Sequence, residues 1–177
     1  YTTLFRSESQ RELLSPGEIL ESSVETVRPL ADEQGIALRV DIAPSLPAIY
    51  ADPAMLRQVL VNVLSEGIRL ADGASLLVTV AAQGEDVCWR FSGMDKAKAL
   101  QQELTTATGL ALTRALLQVY GGEISLESDE RGDPVLSLTI PIAVPRTILI
   151  IDDDPRTASL YLRYLQPDNY QVRTASR

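Results

Sequence analysis

Residues 56–69, Leu-Arg-Gln-Val-Leu-Val-Asn-Val-Leu-Ser-Glu-Gly-Ile-Arg, decide how this chain is read. Taken at helical period, Leu56, Val59, Leu60, Val63 and Leu64 form an apolar stripe that must face a core. Asn62, Glu66 and Arg69, at i, i+4 and i+7, share a second face with Gln58 and Ser65. An amide, a carboxylate and a guanidinium aligned in this way suit a metal ion and a polyphosphate. They equally suit a plain solvated face. Asp52-Pro53 supplies an N-cap and a proline at N1, so the helix opens there.

On the N-terminal side, Ser15-Pro16-Gly17-Glu18 is a capping box for an earlier helix whose apolar positions are Ile19, Val24, Val27 and Leu30. Ala37–Ile42 alternates as a strand does, and Pro44 and Pro47 break the chain before an extended piece at Ile49-Tyr50. On the C-terminal side, Ser75–Ala82 and Asp86–Phe91 read as strands joined by a turn at Gly84. Thr108–Tyr120 reads as a helix that Gly121-Gly122 ends in left-handed geometry. Glu123–Glu127 and Val135–Ile140 make a hairpin around Arg131-Gly132-Asp133. The sum predicts an α/β two-layer sandwich, a mixed β-sheet with helices on one face. No internal repeat or low-complexity segment is present.

Composition narrows the function classes. The chain has 177 residues, 45% of them hydrophobic, enough for one well-buried domain and part of a second. No apolar run approaches the ~18–20 residues that span a bilayer, and a cytoplasmic location with no membrane contact by this fragment is expected. The single cysteine, Cys88, excludes an internal disulfide framework and is expected in core packing. A net charge of −8 argues against a nucleic-acid partner. The chain contains no histidine, which excludes imidazole acid–base chemistry.

The order of these elements resembles the ATP-binding (catalytic) domain of sensor histidine kinases, in the GHKL ATPase superfamily. Ala51–Leu64 is similar to the start of that family's N-box. Gly109-Leu110-Ala111-Leu112 followed by Tyr120-Gly121-Gly122-Glu123-Ile124 is similar to its second glycine box, the helix after it and the next strand. The likeness covers about residues 8–143 and rests on the joint spacing. It implies ATP and Mg as cofactors, bound by Asn62, Glu66, Arg69, Ser92, Gly93, Asp95, Gly109 and Leu110, with Asn62 and Glu66 nearest the metal. It also implies a homodimer, joined through upstream dimerisation and phosphoacceptor helices. With no histidine here, the phosphoacceptor must lie elsewhere. Residues 8–14 then correspond to the tail of the upstream dimerisation helix. Both termini read as cuts, and Tyr1–Ser7 matches a translated sequencing adapter, TAC ACG ACG CTC TTC CGA TCT, and is set aside as a scar.

Several positions depart from the family pattern. Glu66 stands where a magnesium-binding asparagine is expected. A carboxylate can ligate Mg²⁺, but at ~4 Å and an effective dielectric of ~20 its repulsion of a phosphate is on the order of 4 kcal/mol per unit charge. The first glycine box is Phe91-Ser92-Gly93-Met94-Asp95, so the adenine-reading aspartate falls on Phe91 or Ser92, and Asp95 is out of register. Fifteen residues separate Gly93 from Gly109 and none is phenylalanine, so the F-box of the lid is missing. Thr105 and Ala107 replace two of three glycines, and Gly109 remains. Tyr120 stands in place of a histidine and is expected at the surface.

After the linker at 144–146 a second pattern begins. Thr147–Ile151 is a continuous apolar run, expected to be a strand buried on both faces. Asp152-Asp153-Asp154-Pro155, a helix from about Arg156 to Leu165 and a strand at Tyr170–Thr174 follow. This resembles the opening βαβ of a flavodoxin-like response-regulator receiver, truncated at 147–177, in which Asp152 and Asp153 hold Mg²⁺. An acidic turn capping a helix is the simpler alternative. Such a strand should pack on residues 8–143 or pair with another copy.

Two functions follow from the resemblance. One is a pseudokinase scaffold of a hybrid kinase, linking an upstream dimer to a receiver with weak or lost ATP binding. The other is a working kinase domain that passes the γ-phosphate to an upstream histidine and then to a receiver aspartate. A different ATPase of the superfamily is disfavoured by the receiver-like start.

Overall fold

Ser15 caps the first helix as its position predicts. In the computed structural model, helix α1 spans Pro16–Gln34, the Ser15 side chain accepts from the Glu18 N–H, and Gly35 at φ +70° ends the helix. Ile19, Leu20, Val24, Val27 and Ala31 are its buried stripe. The structure describes residues 11–73, 75–95, 110–144, 146–152, 154–165 and 170–175. The expectations for Tyr1–Ser7, the lid with Gly109, and Asp153 lie outside them.

Residues 8–14 are expected to end an upstream helix; 8–10 lie outside the described residues, and at 12–14 the structure differs. Glu12–Leu14 form a short strand, β1, antiparallel to β3 (Ile49–Ala51), with Glu12 opposite Ala51 and Leu14 opposite Ile49. The pairing is made with residues about forty positions on, which no local pattern in three residues announces.

Strand β2 (Ala37–Ile42), β4 (Ser75–Gln83), β5 (Asp86–Ser92), β6 (Glu123–Ser128) and β7 (Pro134–Pro141) form one sheet in the order β2-β4-β5-β7-β6. The β2–β4 pair is parallel and the other three are antiparallel, so the sheet is mixed, as predicted. Val78 pairs with Phe91, Val80 with Trp89, and Trp89 with Leu138, all on the inner face and all buried. Helix α2 (Pro53–Leu70) and helix α3 (Ala111–Gln118) join α1 on this side. The predicted α2 stripe of Leu56, Val59, Leu60, Val63 and Leu64 has no solvent exposure at all.

The C-terminal residues form β8 (Arg146–Ile151), α4 (Pro155–Leu165) and β9 (Tyr170–Ala175), with β8 and β9 parallel. This is a βαβ unit, as predicted. The expected burial of β8 on both faces is not met, because Leu149 is 58% and Ile151 62% exposed. A single crossover helix covers one face of a two-stranded sheet and leaves the other open.

Candidate functional site

Helix α2 carries the polar face at the centre of the site. Asp52 caps its first turn, its Oδ1 accepting from the N–H groups of Ala54 and Met55 at 2.9 and 3.1 Å. The register this sets leaves Asn62 half-buried, Glu66 buried and Arg69 exposed along one side. Arg69 Nη2 donates to both Glu66 carboxylate oxygens, at 2.6 and 3.0 Å. Asn62 Oδ1 accepts from Gln58 Nε2 at 2.8 Å. Glu66 and Arg69 are therefore brought together, while Asn62 is engaged with Gln58 on the same helix.

Residues 91–95 meet the other end of α2. Beyond β5 the chain continues as an antiparallel bridge between Met94 and Ala71. The Asp95 N–H donates to Leu70 O at 2.7 Å, and the Asp72 N–H donates to Gly93 O at 2.9 Å. Gly93 sits at φ +94°, and a Cβ there would lie 2.5 Å from Ser75 O. Only glycine fits that close approach of two strands. This fixes the register: Phe91, two residues before Gly93, points into the core with no exposure, opposite Val78 and Leu136. Ser92 and Asp95 are half-buried.

Leu110 is the N-cap of α3 and offers no side-chain cap. The first N–H groups of that helix therefore lack the partner an Asp or Ser would supply. Thr113, in the same first turn, is fully buried, and its hydroxyl has no hydrogen-bond partner. Helix α3 packs against α2. Sequence reasoning passed over Thr113 because its burial comes from tertiary packing.

Tyr120 corrects another expectation. It is 9% exposed, its hydroxyl donates to Met55 Sδ at 3.1 Å, and Arg11 stacks over its ring at 5.1 Å. A phenol can be buried here because its ring packs against the core while its O–H finds a partner.

In the βαβ unit, Asp152 Oδ1 accepts from the Asp154 N–H, and Asp154 Oδ1 accepts from the Arg156 N–H, both at 2.8 Å. These are the bonds of an acidic turn capping α4. Among the described residues no group of three or more His, Cys, Asp or Glu is placed to hold a metal. Nor is any described helix long and apolar enough to cross a membrane.

No protein-family model matches the chain. It is 27% identical to sporulation kinase E of Bacillus subtilis over 139 residues, which covers 71% of this chain and 19% of that protein. It is 26% identical to the sensor protein TorS of Escherichia coli across 91% of this chain and 21% of that protein. The chain thus spans about a fifth of the length of these relatives. The catalytic domain of the histidine kinase ThkA superposes with a TM-score of 0.62 at 19% identity, over 75% of this chain and 95% of that domain. Full-length ShkA, crystallised with AMPPNP, superposes with a TM-score of 0.61 at 19% identity, over 95% of this chain and 41% of its own. The chain is homologous to sensor histidine kinases and has the fold of their catalytic domain.

Proposed function

We propose that this chain is the ATP-binding domain of a hybrid sensor kinase, followed by the first βαβ of a receiver, and that its nucleotide site is eroded. It would act in two-component signalling as a scaffold between an upstream dimer and the receiver. The buried Phe91 carries this reading. The adenine-reading carboxylate is expected at Phe91 or Ser92, and neither side chain is a carboxylate; Phe91, two residues before the obligatory glycine at 93, is sealed in the core. An unpaired exocyclic amine costs roughly 1–3 kcal/mol, about ten- to a hundredfold in affinity.

The metal donors do not fit a resident Mg²⁺ as they stand. Both Glu66 oxygens take hydrogen bonds from Arg69, and Asn62 Oδ1 takes one from Gln58. Arg69, the natural phosphate ligand, is held by the same carboxylate. Among the described residues, the one basic side chain on this face, Arg69, is thus paired with Glu66. Calorimetric titration with Mg-ATP and Mg-ADP tests the proposal. Affinity on the order of high micromolar or weaker is expected, and Glu66→Asn alone should not restore it, because the adenine contact is still missing. Stoichiometric binding at low micromolar concentration would overturn the eroded-site reading.

A second reading, a working kinase, draws on Asp95. Its backbone is bonded to the last residue of α2, next to Arg69, which makes its carboxylate a candidate to replace the missing acceptor. Under that reading Asp95→Asn abolishes tight binding, and phosphate passes to a histidine outside this chain.

A further inference from the structure

We infer that Arg11 and Tyr120 form a latch through which the segment entering the domain holds the far ends of α2 and α3, the two helices that carry the candidate site. Arg11 immediately precedes β1. Its Nη2 donates to Val119 O at 3.4 Å, and its guanidinium lies 5.1 Å from the centre of the Tyr120 ring. Val119 is the C-cap of α3, a helix with no basic residue in its own last turn. The negative end of the helix dipole attracts a cation, and here one arrives from 108 residues away in sequence. Tyr120 then reaches across to Met55, in the first turn of α2.

The same segment holds α2 by a second route. Strand β1 pairs with β3, and Ala51, the last residue of β3, directly precedes the N-cap Asp52. One short stretch, Arg11–Leu14, thus grips the N-terminal end of α2 through the strand pair and the C-terminal end of α3 through Arg11. The opposite ends of these helices bear Arg69 and Leu110. A shift of the entering chain moves both helices at once, whereas a shift of the chain without the latch moves α2 alone. Arg11 and Tyr120 are positioning residues, and the inference does not depend on whether nucleotide binds.

Hydrogen exchange on the full 177-residue chain without nucleotide tests it. Arg11→Ala should raise exchange about two- to fivefold across Leu116–Gly122, the effect of losing one exposed cation–π contact. Arg11→Glu should raise it further by repelling the helix end, while exchange in β4 and β5 stays unchanged. Tyr120→Phe keeps the ring and should preserve the Arg11 dependence while loosening the amides of Met55–Val59. Unchanged exchange at Leu116–Gly122 in a folded Arg11→Ala protein would overturn the latch. So would an equal rise in every element, which marks general stability and not coupling.

Discussion

At the residue scale, Gly93 and the Glu66–Arg69 pair are the positions whose chemistry is least replaceable. Gly93→Ala combines a left-handed backbone with a Cβ 2.5 Å from Ser75 O, a backbone atom that cannot swing aside. It should cost about 3 kcal/mol or more, read by urea unfolding through the fluorescence of Trp89, the sole tryptophan and fully buried. A loss below about 1 kcal/mol would mean that the β4–β5 strand end relaxes, and the register argument for Phe91 would weaken with it. In the ion pair, the Arg69 side chain is 60% exposed and that of Glu66 only 11%. The two truncations are therefore unequal. Glu66→Gln leaves a guanidinium that water can solvate and should cost about 0.5 kcal/mol. Arg69→Met strips the nearest cation from a largely buried carboxylate and should cost about 1–2 kcal/mol. Equal costs in the same unfolding assay would show that Glu66 is no better buried than its partner.

At the element scale, the β6–β7 hairpin is tied by Asp129, whose Oδ1 accepts from the N–H groups of Arg131 and Asp133, both at 2.9 Å. These bonds, that from Asp133 foremost, hold its carboxyl below the usual aspartate range, with burial opposing them. The folded turn thus binds this proton less readily than the unfolded chain. Its contribution is fully present above the ordinary aspartate range and is lost as pH falls through the lower folded value. Titration of the Asp129 carboxyl by NMR should give a midpoint below that of an unfolded aspartate. Asp129→Asn should remove the pH dependence of turn amides 130–133 while keeping an accepting oxygen. A midpoint at the ordinary value would mean that the carboxylate bonds are not maintained in solution. Elements like this hairpin were legible because their signals are local: a turn with Gly132 at φ +80°, alternation on either side, and for α2 a cap and a 3.6-residue stripe. Strand β1 was not legible, since Glu12–Leu14 has no alternation of its own and becomes a strand only by meeting β3. Tyr120 was misjudged for the same reason, because its partners Arg11 and Met55 lie far off in sequence.

At the scale of the whole molecule, the two parts of the chain rest on unequal foundations. Among the described residues, the first has a five-stranded sheet under three helices, with Trp89, Phe91, Leu138 and Ile140 closed off from solvent. The second has two parallel strands and one helix, with Leu149, Ile151, Leu160 and Tyr161 about half exposed or more. Two-stranded sheets are marginal in water, and parallel pairs are the weaker kind. Apolar area left in water contributes nothing at the ~25 cal/mol per Å² that burial supplies. Opening of β8 should therefore be far less costly than opening of β4. Amides of Thr147–Ile151 are expected to exchange at least about a hundredfold faster than those of Leu76–Val80, consistent with sub-global opening well below the global stability. Thermal unfolding should show the same order, with helical signal from α4 lost before Trp89 fluorescence changes. If β8 proves as protected as β4, its open face is covered in solution. The exposed Leu149 and Ile151 would then point to a second copy as the cover, and Leu149→Lys should remove the protection together with any concentration-dependent association.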